Sequence, residues 1–135
     1  MTKVEKRFFN PSNMHQPRGY THAVAVDGGR SIFIAGQVAF DLEGKLVGKG
    51  DLRVQSEKAL ENLVAALTAA GATPADVVKV NTYVVNYKSA DYPIIREARA
   101  RVFDGRNPPA STLIGVQALA LEDLLIEIEA IAVIK

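Results

Sequence analysis

The nine residues Ile126–Ile134, IEIEAIAVI, constrain the fold of this chain more than any other stretch. Successive side chains of a strand point to opposite faces. Ile126, Ile128, Ala130, Ala132 and Ile134 therefore make one wholly apolar face, and Glu127, Glu129, Ile131 and Val133 make the other. The first face suits only a core. The second begins with two carboxylates and turns apolar, which predicts a strand inside a sheet, buried on one side and facing a partner or a cleft on the other. Periodicity alone leaves a plainer reading of Glu127 and Glu129 open, as solvated charges at a strand edge.

The rest of the chain can be read around that strand. Residues 1–20 hold turn-like clusters at Asn10-Pro11-Ser12-Asn13 and Gln16-Pro17-Arg18-Gly19. A first strand is expected over Tyr20–Val26, and a second over Ser31–Ala35. Asp27-Gly28-Gly29-Arg30 between them carries the signal of a tight hairpin. Val38–Phe40 reads as a further extended segment. Asp51 suits a helix N-cap, Leu52, Leu60, Leu63, Val64 and Leu67 recur at helical spacing, and Gly71 followed by Pro74 ends the pattern. This predicts an amphipathic helix over about 51–70, with Gln55, Glu57, Lys58, Glu61 and Asn62 on its polar surface. Thr73-Pro74 opens one short helical turn. The β-branched run Val77–Val85 is a strong strand, a second helix runs from Ser89 or Asp91 to about Phe103, and Ser111–Val116 is a strand. A single domain over residues 1–135 is expected, with a mixed six-stranded sheet and both helices on one face. The other sheet face is then bare, which predicts self-association.

Composition removes several classes of function. With no cysteine among 135 residues, disulfides, thiolate catalysis and cysteine-ligated metals are excluded. His15 and His22 are the only histidines, so no histidine-rich metal site is expected, and no cofactor is implied. A formal net charge of +1, from interspersed charges, leaves no electrostatic footprint for nucleic acid. The charged start MTKVEKRFFNPSN has no apolar core of signal-peptide length. No apolar stretch approaches the roughly 20 residues that cross a bilayer, so no membrane partner and a cytoplasmic location are expected.

Few residues offer chemistry by type. Gly44, Gly48 and Gly50 lack the lysine and Ser/Thr ending of a phosphate loop, and no serine sits in a G-x-S-x-G elbow. Tyr20 and His22 share a predicted strand face. Each has a structural reading, as an anchor and a hydrogen-bonded strand histidine, beside a cleft-lining one. Arg96 and Arg99 read most simply as solvent-facing charges of the second helix.

One ordered set of motifs is specific. Gly19-Tyr20-Thr21-His22-Ala23-Val24, Ile34-Ala35-Gly36-Gln37, Gln55 and Asn62-Leu63, Ala70-Gly71-Ala72, Pro109-Ala110-Ser111-Thr112 and Glu127-Ile128-Glu129-Ala130-Ile131-Ala132 resemble the RidA/YjgF family, also called endoribonuclease L-PSP or translation initiation inhibitor. The resemblance implies a chorismate-mutase-like α/β (α+β) fold and a homotrimeric barrel with small-molecule clefts between subunits. It implies hydrolysis of enamines or imines, so a carboxylate or imine ligand. Tyr20 matches the family's cleft tyrosine, and Glu127 the glutamate that places the hydrolytic water. Gly36 and Gln37 follow the position of a cleft serine, which is Ala35 here. Ser111, followed by Thr112, stands where the family has its carboxylate-binding arginine, and Arg96 falls at a cleft asparagine. The chain thus reads as a divergent member: a deaminase of altered specificity, or a non-catalytic binding or regulatory protein. The older nuclease description has no support from charge. In the hydrolytic reading, the Ser111 or Thr112 hydroxyl holds the ligand's polar end, and Arg96 or Arg18 replaces the missing cation.

Overall fold

The computed structural model describes residues 3–135; Met1 and Thr2, which begin the charged N-terminal segment, lie outside the described residues. The elements in order are β1 (Glu5–Phe9), β2 (Ala23–Asp27), β3 (Arg30–Gln37), α1 (Leu52–Ala69), β4 (Val77–Val85), α2 (Tyr92–Ala100), β5 (Ala110–Val116) and β6 (Ile126–Ile134). Strands β3, β6, β4 and β5 form a mixed sheet in that spatial order, and β1 and β2 form a separate antiparallel ribbon. Strand β6 runs antiparallel to both its neighbours, whereas β4 and β5 are parallel. The parallel pair follows from α2, which supplies the crossover that parallel neighbours need.

Strand β6 is an inner strand of this sheet, between β3 and β4. Its Ile126, Ile128, Ala130 and Ala132 face is buried and packs with Ile34, Val80 and Val84 against Leu60, Leu63 and Leu67 of α1 and Ile95 and Ala98 of α2. Both helices thus cover one face of the sheet. Each fully buried leucine of α1 contributes about 1.5–3 kcal/mol by area removed from water. Asp51 caps that helix by accepting from the Val54 amide at 3.1 Å, and Gly71 ends it at a φ of +84°.

Three local expectations are corrected. The Asp27–Arg30 turn exists, with φ of +77° at Gly28 and +87° at Gly29, yet the strands it joins do not pair with each other. Strand β2 pairs with β1, and β3 pairs with β6. The turn is pressed onto the end of β6, where a β-carbon on Gly29 would lie 2.6 Å from the Ile134 carbonyl oxygen. The expected extension at Val38–Phe40 makes only one bridge, Phe40 to Leu46. The sixth strand is instead β1, in an N-terminal segment that the sequence marks only by its turns, and the six strands form a four-stranded sheet and a two-stranded ribbon rather than the expected single six-stranded sheet. The inward positions of β1, Lys6 and Phe8, are half-buried, and Arg7 pairs with Asp27 across the ribbon at 3.0 Å. The first strand also starts at Ala23, leaving Tyr20 and His22 in the approach to it.

The face of the four-stranded sheet away from the helices carries Phe33 (75% exposed), Tyr83, Ile114, Glu127, Glu129 and Ile131. Within one protomer this face is uncovered by any helix. No helix of the described residues is long and apolar enough to cross a membrane.

Candidate functional site

The candidate residues fall on two opposite edges of the sheet. At the β3 edge, the ladder to β6 shifts register between Ile34 and Gln37. This bulge turns Gly36 toward Glu127. A β-carbon on Gly36 would overlap the Glu127 carboxylate, so only glycine leaves that carboxylate its place. Gln37 braces the bulge by donating from Nε2 to the Ala35 carbonyl at 3.0 Å, and Ala35 itself is exposed. Gln37 thus serves the backbone here. Beside them, Tyr83 donates its hydroxyl to Glu129. That hydrogen bond, burial, and the charges of Glu129 and Glu127 raise the Tyr83 phenol above its ordinary pKa.

At the β5 edge, Thr21 is the organiser. Its amide donates to the Pro109 carbonyl at 3.1 Å and its hydroxyl to the Pro108 carbonyl, and it bridges to Ala110. The Gly19-Tyr20 turn is thereby tied to the loop that enters β5. The Tyr20 hydroxyl lies 2.7 Å from His15 Nε2, and His22 Nε2 lies 2.8 Å from the His15 carbonyl oxygen. The three rings stack edge to face or tilted, with His15 and His22 centroids 4.7 Å apart. His22 is thus a bracing residue.

Ser111 and Thr112 are neighbours in β5 and so point to opposite faces of the sheet. Thr112 pairs in register with Asn81 on the open face and accepts from Lys79 Nζ at 2.8 Å. Ser111 pairs with the buried Val80, on the helix side. There its hydroxyl meets Arg99, whose Nη2 lies 2.9 Å away. The expectation that Arg99 faces solvent is therefore corrected: it is only 9% exposed. Burial pushes its guanidinium below its ordinary pKa, with Tyr92 acting in the opposite direction. Among the described residues no carboxylate pairs with it, and its Nε has no acceptor. Arg96, one turn earlier, is exposed and lies over the Gly19 turn, 3.9 Å from where a β-carbon there would stand. Together with Tyr92, Phe103 and Pro108 these arginines line a cleft of about 240 Å³. Arg18 is exposed and lines neither this cleft nor the larger one beside Tyr20.

The two clusters do not meet inside one protomer. Strands β3 and β5 are the two edges of the sheet, three strand spacings or roughly 14 Å apart. Glu127 shares the open face with Tyr83 and Ile114, whereas Ser111 and Arg99 lie on the helix face.

Residues 12–134 match the family described as Endoribonuclease L-PSP. The chain belongs to this RidA/YjgF family. A RutC family protein of Pyrococcus horikoshii is 38% identical over 89% of this chain and 91% of its own length. A 2-iminobutanoate/2-iminopropanoate deaminase of Dermatophagoides farinae is 33% identical over 96% of this chain and 98% of its own. Among solved structures, the Rid-family protein YyfB of Yersinia pestis, of unknown function, is 48% identical. It superimposes with a TM-score of 0.91 over 96% of this chain and 98% of that one. TdcF of Escherichia coli with bound serine is 29% identical, with a TM-score of 0.68 over 81% and 84%. The chorismate-mutase-like α+β fold expected for a RidA-family chain is the one observed.

Two of the RidA-type motif residues serve architecture in this structure. Gln55, expected on the polar surface of α1, is fully buried. It donates to the Gly48 and Asp123 carbonyls at 3.1 and 3.0 Å and accepts from the Leu125 amide at 2.9 Å. Asn62 donates to the carbonyls of Val38 and Phe40, each at 2.9 Å. Both hold loops that lie outside the named strands and helices. Residue type alone gives neither Arg99, read as a solvent-facing charge, nor His15 a place in the site. Arg99 was legible by spacing: it lies four residues from both Ile95 and Phe103, on the apolar stripe of α2.

Proposed function

We propose that this RidA-family protein is a homotrimer whose small-molecule clefts form between subunits and hydrolyse enamines or imines. One observation carries the reading: the candidate residues divide between opposite edges and opposite faces of one sheet. A cleft that uses both groups needs two protomers. The β3–β6 edge of one supplies Glu127, with Gly36 and Ala35 beside it. The β5 edge of the next supplies Tyr20, Ser111 and the two arginines of α2. The uncovered Phe33, Ile114 and Ile131 surface supports association of this kind.

In this reading Glu127 accepts a hydrogen bond from a water and aims it at the imine carbon. Addition gives a carbinolamine, which expels ammonia and leaves a carbonyl compound. Tyr20, held by His15, places its hydroxyl beside the substrate nitrogen or the new oxygen. The deaminase of Dermatophagoides farinae and the serine-bound TdcF support a cleft for small amino- or imino-acids. The reading is tested by ammonia release from enzymatically generated 2-aminoacrylate. Release above the enzyme-free rate that falls at least a hundredfold in Glu127→Gln is expected. A rate equal to the enzyme-free control refutes imino-acid hydrolysis.

Ala35 favours a second reading, a binding protein without turnover. It places a methyl group beside Gly36, where the resemblance expects a hydroxyl. Ligand-dependent rises in Tm without ammonia release would favour it.

A further inference from the structure

We propose that Arg99, held by Ser111, is the anion-binding cation of the cleft, and that with Arg96 it selects small dicarboxylates over monocarboxylates. This rests on the small-molecule cleft proposed above and assigns its ligand class.

A guanidinium taken out of water needs its donors satisfied or its charge paired. Arg99 is 9% exposed, is held at 2.9 Å by one neutral hydroxyl, and leaves Nε without an acceptor. A structural arginine is ordinarily locked by a carboxylate or several carbonyls, and this one is not. It instead lines a cleft of about 240 Å³, a size suited to a small organic acid. The guanidinium fork matches a carboxylate in two-pronged geometry. Ser111 fixes one corner of that fork and so orients the rest. Ser111 on β5 thus receives an arginine that reaches in from α2.

The charges around the cleft favour a dianion. Arg96 lies at its mouth, one helical turn from Arg99, with its guanidinium over Gly19. Neither arginine is paired with a carboxylate among the described residues. The one acidic side chain of the lining, Asp104, is engaged by Arg106, accepting from its amide at 2.9 Å and pairing with its Nε at 3.7 Å. Two positive charges one helical turn apart therefore outnumber the single carboxylate, Asp104, that the same protomer contributes to the lining. One buried charge binds any carboxylate, and the second, more exposed charge rewards a ligand with another carboxylate at its far end.

The test is calorimetric titration of the full-length purified protein with 2-oxobutanoate, 2-oxoglutarate and inorganic phosphate. Wild type is expected to bind 2-oxoglutarate at least threefold more tightly than 2-oxobutanoate. Arg99→Met should weaken both at least tenfold, and Ser111→Ala should weaken both several-fold. Arg96→Gln should weaken 2-oxoglutarate several-fold more than 2-oxobutanoate and so remove the preference for the diacid. Should Arg99→Met not fold, Arg99→Lys, which keeps the charge and loses the fork, is expected to weaken both acids tenfold. Unchanged affinity in a folded Arg99 variant overturns the proposal, as does wild-type protein that binds neither acid at millimolar concentration. Phosphate bound more tightly than either acid overturns the carboxylate assignment. Ammonia release distinguishes the two proposals. If it is absent while Arg99-dependent binding persists, the hydrolytic reading fails and the anchor stands. If it proceeds equally in Arg99→Met, the anchor fails and the hydrolytic reading stands.

Discussion

The Glu127 carboxylate lies directly over Gly36, in space that any β-carbon at that position would fill. The bulge between Ile34 and Gln37 creates that space, so the placement of a candidate catalytic group depends on a backbone irregularity one strand away. Gly36→Ala must push either the carboxylate or the bulge aside. Overpacking of this kind typically costs about 1–3 kcal/mol. Urea unfolding should show a destabilisation in that range, and ammonia release, where wild type shows it, should fall at least tenfold. Wild-type stability together with wild-type turnover would mean that Glu127 needs no such vacancy.

Tyr83 and Glu129 make stability pH-dependent at the alkaline end. The Tyr83 pKa is raised in the folded protein, first by the hydrogen bond to Glu129 and then by burial and by the charges of Glu129 and Glu127. Where the folded state holds a proton that the unfolded state has lost, stability falls as pH rises. The contribution is complete below the unfolded value of about 10 and is lost as pH climbs through the higher folded value. Urea unfolding from pH 8 to pH 11 should therefore show a decline beginning near pH 10, and Tyr83→Phe should flatten it. An identical slope in the variant would assign the decline to other groups.

Gln55 is expected to be among the most costly single positions outside the apolar core. Gln55→Ala removes the side-chain partner of the Asp123 carbonyl and the Leu125 amide, and one of the two partners of the Gly48 carbonyl, which keeps the Asp51 amide. Three bonds of about 1 kcal/mol each, together with buried groups left unsatisfied, predict a loss of roughly 3 kcal/mol in chemical denaturation. Glu61, on the exposed side of the same helix and 3.2 Å from Lys58 across one turn, should tolerate alanine within about 0.5 kcal/mol. Equal effects at the two positions would remove the distinction drawn between them.

Shared clefts can be tested by mixing inactive chains. If Glu127 and Tyr20 act from different protomers, trimers of Glu127→Gln alone and of Tyr20→Ala alone should both be inactive. Equal mixtures that are unfolded and reassembled together should regain about a quarter of wild-type ammonia release, since one cleft in four unites two intact halves. No regain in a reassembled mixture of two folded variants would place both groups in one subunit's site.

The association itself has its own test. Phe33 stands 75% exposed on the open sheet face, with Ile131 as its cross-strand partner. Phe33→Glu would bury a charge in any assembly built on that face. Light scattering should move from three chains of 14.5 kDa to one, with far-ultraviolet circular dichroism unchanged. A wild-type chain that is already monomeric at micromolar concentration would refute the proposed trimer.

Local pattern determined much of this protein. The two faces of Ile126–Ile134, the run Val77–Val85 and the capped helix from Asp51 to Gly71 are all legible in sequence, because strand and helix periodicities are properties of consecutive residues. The motifs around Tyr20, Gly36, Ser111 and Glu127 were legible as well, as a family resemblance. Tertiary structure decided what those residues touch. Strand β1 hid in a charged segment because its partner β2 lies fourteen residues further on. Gln55 looked like surface because its three partners come from loops up to 70 residues away. Arg99 looked like a solvated helix charge because nothing near it in the chain marks Ser111, twelve residues on, as its hydroxyl partner. Periodicity tells which side of an element is apolar; only packing brings a particular polar atom within hydrogen-bonding distance of another.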